Sequence, residues 1–127
     1  MIVVDTSALM AIALGEPLAE RCAAVLKANG ERVISAATVA EALIVAGRRG
    51  VGNRMESLLD GLDLDVISVT SLSARRIAEA YARWGKGVHP AGLNLGDCFA
   101  YELAAKHGCP LLFVGDDFAK TDIASAL

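Results

Sequence analysis

Apolar and polar positions fall in short blocks along this chain, and the blocks change period. Ile2-Val3-Val4 is a β-branched run that predicts a short buried strand leaving its sheet at Asp5-Thr6-Ser7. From Leu18 to Ala28 the period is helical, with Leu18, Cys22, Val25 and Leu26 in one stripe. Pro17 suits its first turn and Gly30 after Asn29 its stop. Arg32-Val33-Ile34-Ser35 reads as a second strand, and Ala36 to Gly50 as a helix with Val39, Leu43 and Ala46 on one side. Asn53 to Leu62 reads as a further helix through Met55, Leu58, Leu59 and Leu62, and Leu64 to Val69 as a third strand. Ser71 or Ser73 is placed to cap a helix carrying Ile77, Ala80, Tyr81 and Trp84 at i, i+3, i+4 and i+7. Gly85 to Gly92 is a glycine- and proline-punctuated loop, expected to be mobile or to face a substrate. Leu95 to His107 predicts a central helix with little polar surface, and Pro110 to Val114 a fourth strand ended by Gly115-Asp116-Asp117.

Strands separated by helices imply βαβ crossovers. The expected fold is therefore α/β: one domain over residues 1–127, with a mostly parallel sheet of four or five strands and helices on both faces. No repeat, low-complexity tract or linker divides the chain.

Composition narrows the function. At 54% the apolar fraction is high, yet much of it is alanine. No uncharged run reaches the about 20 residues that cross a bilayer. The start has no basic leader and meets an acid at Asp5, so a cytoplasmic protein with no membrane segment is expected. Cys22, Cys98 and Cys109 are too far apart for a CxxC zinc site, and His89 and His107 are isolated. The net charge of −3 matters more. Binding to a polyanion must then rest on local basic patches or on bound cations.

Four acidic positions stand out. Asp5 ends the first strand, Glu41 lies in an otherwise uncharged helical stretch, Asp97 falls in the first turn of the apolar helix, and Asp116-Asp117 end the last strand. At about 100° per residue, Glu41 shares a face with Thr38, Val45 and Arg48. Each has a plain structural explanation: Asp5 as a cap, Glu41 as an exposed helix position, Asp97 in a capping arrangement with Asn94, Asp116-Asp117 as a turn. Together they occupy places from which a doubly wound fold can turn towards one crevice. Two unit charges 4 Å apart repel by about 4 kcal/mol at an effective dielectric near 20. Oxygen ligands without His or Cys point to Mg²⁺, with Mn²⁺ as substitute, to offset that repulsion. Such a site performs metal-assisted phosphodiester hydrolysis.

The chain resembles the PIN-domain family, and within it the VapC-type ribonuclease toxins of bacterial toxin–antitoxin pairs. The resemblance rests on Val3-Val4-Asp5-Thr6-Ser7-Ala8-Leu9, Ala40-Glu41-Ala42, Leu95-Gly96-Asp97-Cys98-Phe99-Ala100-Tyr101, Leu111-Leu112-Phe113-Val114-Gly115-Asp116-Asp117-Phe118 and Thr121-Asp122-Ile123, in that order. It implies Asp5, Glu41 and Asp97 as catalytic and metal-binding acids. It places the fourth acid in Gly115-Asp116-Asp117-Phe118, where Asp117, next to Phe118, is preferred and Asp116 is the alternative. Thr6 or Ser7 would hold a metal-bound water, and Asp122 would give outer support. It further implies an RNA substrate, an antitoxin covering the acids, and a homodimer. Arg48, Arg49, Arg54, Lys86 and Lys120 are candidates for the RNA path, and Trp84 and Tyr81 for core or dimer contact rather than base stacking. Two other readings compete: an aspartyl-phosphate receiver or phosphatase, and a PIN-like module that binds RNA or a partner without cleavage. The first lacks paired acids beside Asp5, where Val4 precedes it and Ser7 stands two residues on.

Overall fold

A computed structural model describes all residues, 1–127. Its sheet has four strands: β1 (Ile2–Val4), β2 (Arg32–Ser35), β3 (Asp65–Ile67) and β4 (Leu111–Leu112). They lie in the order β3-β2-β1-β4, and every pairing is parallel. The tail continues the sheet beyond β4: Leu111 N–H donates to Ala124 O and Ala126 N–H to Leu111 O, each at 2.9 Å. A single parallel bridge, Leu111 to Ser125, thus supplies the fifth position that the sequence left open.

Six helices connect the strands: α1 (Thr6–Leu14), α2 (Ala19–Ala28), α3 (Ala36–Arg48), α4 (Gly52–Gly61), α5 (Ser71–Trp84) and α6 (Leu95–His107). The alternation of β1 divides them into two layers. Val3 joins a core with Trp84, Tyr101, Leu111 and Phe113 under α5 and α6. Ile2 and Val4 join the opposite core with Leu9, Leu26, Ile34, Met55 and Leu112, under the other four helices. Slipping β1 by one residue would exchange the two faces, so its register is fixed by burial on both sides.

Several details differ from the sequence reading. The pattern gave no helix over Thr6–Leu14, because six of its nine residues are buried and its apolar positions show no stripe. This helix ends at Gly15, whose φ of +63° a side chain would strain. The stop of α2 is Asn29 in extended backbone, its side-chain amide donating to Val25 O at 2.8 Å, and not Gly30. The cap of α5 is Thr70, which accepts from Ser73 N–H at 3.1 Å, so neither Ser71 nor Ser73 caps it. The loop over Gly85 to Gly92 is held at both ends. Lys86 N–H donates to Leu93 O, Leu93 N–H to Trp84 O, and Ala91 N–H to His89 Nδ1. Its exposed residues are Lys86 to Val88 and Pro90.

Candidate active site

Every strand points its carboxyl end the same way, and the acids gather at that edge. Asp5 follows β1 and caps α1; its Oδ2 accepts from Ser7 N–H at 3.0 Å and from Ser7 Oγ at 2.6 Å. Ser7 Oγ also accepts from Val114 N–H at 2.9 Å. One hydroxyl therefore ties the exit of β1 to the segment following β4. Glu41, on α3, is half-buried and receives a hydrogen bond from Thr6 Oγ1 at 2.5 Å. Asp97 closes the capping box of α6: its carboxylate accepts from Asn94 N–H at 3.0 Å while Asn94 Oδ1 accepts from Asp97 N–H at 2.8 Å. For Asp5 and Asp97 the capping role and membership of the cluster coexist.

Two of the carboxyls, Asp5 and Asp97, are raised by burial and by the charges of other acids. Burial pushes Asp97 up to about 7, against the backbone hydrogen bond at Asn94, and the charges of Asp5, Asp117 and Glu41 add to the rise. Burial also pushes Asp5 up to about 6; the Ser7 hydrogen bonds oppose this and the Glu41 charge reinforces it. Asp117 thus belongs to the neighbourhood of Asp97, whereas Asp116 shifts neither carboxyl and its carbonyl closes a turn with Ala119 N–H. Asp122 lies with other partners: it accepts from Tyr101 Oη at 2.7 Å and sits 3.6 Å from Arg83. Its expected support of the acids is not seen. Thr6 and Ser7 likewise spend their hydroxyls on orienting Glu41 and Asp5 rather than on an open position.

The arrangement fits a hard divalent cation in its chemistry. The donors are oxygens only, and Asp5 Oδ1 is buried without a hydrogen-bond partner. No three acids, histidines or cysteines form a ready cage as they stand. Each of three carboxylates accepts a hydrogen bond from a nearby donor, Ser7, Thr6 or Asn94. Carboxylate oxygens move by side-chain rotation, whereas the backbone positions of Asp5, Glu41 and Asp97 are set by the sheet and the helices that follow its strands.

One residue escaped the sequence reading. A Cβ placed on Gly96 would lie 1.9 Å from Glu41 Oε2 and 2.7 Å from its carboxyl carbon. The signal was a poor helix former in the first turn of a helix, directly before Asp97.

Among the basic candidates, Arg48, Arg49, Lys86 and Lys120 are exposed, while Arg54 donates to Ala13 O at 3.3 Å. Trp84 is buried, with the Arg83 guanidinium 4.4 Å over its ring and the His89 ring edge-on at 4.7 Å. It is a core residue, as expected.

The raised carboxyls set the acid stability of the chelated protein. Their ordinary value is 3.8, so the folded chain binds more protons than the unfolded one between about pH 4 and 7. Stability is then greatest at the acid end of that window and falls as pH rises through it. The rise at Asp97 alone corresponds to a few kcal/mol at about 1.4 kcal/mol per pH unit. In chelator, the melting temperature is expected to be several degrees higher at pH 5.5 than at pH 8. A melting temperature that climbs over that interval would mean that Asp5 and Asp97 are not raised above their ordinary value in the folded chain.

The PIN-domain family profile matches residues 2–124, and the chain belongs to that family. It is 44% identical over 126 residues to the VapC ribonuclease Mb0640 of Mycobacterium bovis, covering 97% of this chain and 96% of that protein. The crystal structure of Mycobacterium tuberculosis VapC20, described as a toxin cleaving the sarcin–ricin loop, superposes with a TM-score of 0.79 at 16% identity, covering 98% and 97% of the two chains. A toxin–antitoxin complex from Klebsiella pneumoniae gives a TM-score of 0.74 at 20% identity, over 100% of this chain and 98% of that one.

Proposed function

We propose that this chain is a metal-dependent endoribonuclease, the toxin of a toxin–antitoxin pair, hydrolysing RNA phosphodiester bonds at Asp5, Glu41, Asp97 and Asp117. The observation that supports it is that the charges of Asp5, Asp117 and Glu41 all reach Asp97 at the strand ends, where Asp5 keeps a buried, unpartnered oxygen. The ribonuclease name of relatives at 44% identity over nearly the whole chain supports the reaction. Mg²⁺ or Mn²⁺ bound there would neutralise the carboxylates and polarise the phosphoryl group. The protein's own part is positioning: Ser7 holds Asp5, Thr6 and the bare Cα of Gly96 place Glu41, and the capping box fixes Asp97. Arg48 and Arg49, exposed at the end of the helix that bears Glu41, would receive the RNA backbone.

Two partners complete the reading. An antitoxin would cover the acids, consistent with the similarity to a toxin–antitoxin complex. A homodimer would bury the exposed apolar side chains Val69, Leu72, Tyr81 and Leu95 beside Phe99. No helix is long and apolar enough to cross a membrane. A PIN-like module that binds RNA or a partner without cutting is the second reading, favoured by the missing ready-made cage.

Purified protein should cut cellular RNA in Mg²⁺ or Mn²⁺ at discrete 5′ ends and stop cutting when chelator is added. Expression alone should arrest growth, and a co-expressed antitoxin should restore it. Intact RNA after incubation with folded, metal-supplied protein would leave the binding module in place of the nuclease.

A further inference from the structure

A cleft of about 390 Å³ lies between α5 and α6, separate from the acid cluster. Its floor contains two buried polar groups that the site above does not use. Glu102 is 6% exposed and Trp84 8%; Glu102 Oε1 is buried without a hydrogen-bond partner, and Trp84 Nε1 is buried with no better partner than the nearby Tyr101 hydroxyl, with which it makes no well-formed hydrogen bond. The rim carries three cations, Arg76, Arg83 and Lys106, against one acid, Glu79, and Arg83 also lies 3.6 Å from Asp122. Glu102 makes no ion pair with any of these cations. It stands five residues after Asp97, hence about 7.5 Å further along the helix axis and turned well away from the acids.

An unpaired buried acceptor and a poorly paired buried donor lining one cleft, under a mainly cationic rim, are costly unless a ligand completes them. The complement is a flat group with N–H donors for the carboxylate, an acceptor for the indole N–H, and an anion for the rim. A cleft of this size lies within the range of small-ligand sites, about 300–1,000 Å³. We infer that the α5–α6 cleft binds a guanine nucleotide, free or as a splayed unit of an RNA strand. The N1–H and N2–H of guanine donate to Glu102, a ring acceptor receives Trp84 Nε1–H, and the phosphate meets Arg76, Arg83 and Lys106. Uracil cannot match this edge, because its carbonyls flank a single N–H and face the carboxylate.

The test is a binding titration without divalent ion, followed by amide and indole NMR shifts. It is run on the wild-type chain and on Asp97→Asn, so that failure of the cleavage reading leaves it untouched. GMP, IMP, UMP and inorganic phosphate are the free probes; a short single strand with one internal guanine tests the polymer. GMP is expected to bind about tenfold more tightly than IMP, which lacks the 2-amino donor, and to shift the Trp84 indole signal. Glu102→Gln should remove the preference for GMP over IMP and UMP, and Lys106→Ala should weaken GMP and phosphate alike. Tighter binding of the strand than of GMP assigns the cleft to RNA, and the reverse to the free nucleotide. Equal affinity for GMP, UMP and phosphate would overturn the inference, as would GMP binding that Glu102→Gln leaves unchanged.

Discussion

Replacing Asp97 by Asn is expected to cut RNA cleavage by at least about 10²–10³-fold while raising the melting temperature of the chelated protein. The first effect follows from removing one anionic oxygen donor from a set in which hard cations favour carboxylates. The second follows from two opposing terms. Asp97 sits in the first turn of α6, where a negative charge near the helix N-terminus contributes about 0.3–1 kcal/mol. The amide oxygen of Asn can still accept from Asn94 N–H, so much of the capping box survives. Against that small loss stands the relief of burial and of repulsion from Asp5, Asp117 and Glu41, which together push the carboxyl up to about 7. The repulsive side is larger above neutral pH, so thermal melts at pH 8 in chelator should show the variant as the more stable protein. Below pH 5.5 the difference should shrink, since Asp97 is then protonated and already uncharged. A variant that melts lower at pH 8 would make Asp97 a cap first and a site residue second; one that still cleaves at near-normal rate would remove it from the site.

The parallel sheet was legible because its strands are short apolar blocks, β-branched in β1 to β3, and because α2 to α5 between them carry apolar stripes. Residues 6–14 were not, since Ala8, Leu9, Met10, Ala11 and Ala13 are all buried and leave no polar face to reveal a period. The acids were legible as a set from their places at strand ends and helix starts. Their partners were less so. That Thr6 would serve Glu41, 35 positions away, depends on how α1 and α3 pack, and no local spacing encodes it. Asp122 shows the reverse: a motif position that the fold spends on Tyr101 and Arg83 at the tail. Asp117 was preferred over Asp116 for its place next to Phe118, and its charge is the one of the pair that reaches Asp97.

Gly96→Ala should separate site geometry from stability most sharply. Alanine is the better helix former by about 1 kcal/mol, so α6 itself gains by the change. The new methyl group would lie 1.9 Å from Glu41 Oε2 and 3.1 Å from Oε1, while the obstructing atoms are the far end of a flexible side chain rather than backbone. The fold can therefore accept the methyl by turning Glu41 aside, which breaks its hydrogen bond from Thr6. A misplacement of about 1 Å at a reacting site costs on the order of 10²-fold in rate. Cleavage by Gly96→Ala is expected to fall by about that factor with the melting temperature unchanged or higher. A double-variant cycle assigns the loss: if Gly96 acts only through Glu41, adding Gly96→Ala to Glu41→Gln should cost almost nothing more. Additive losses would mean that the glycine serves the site by another route, such as the approach of the RNA backbone to the start of α6.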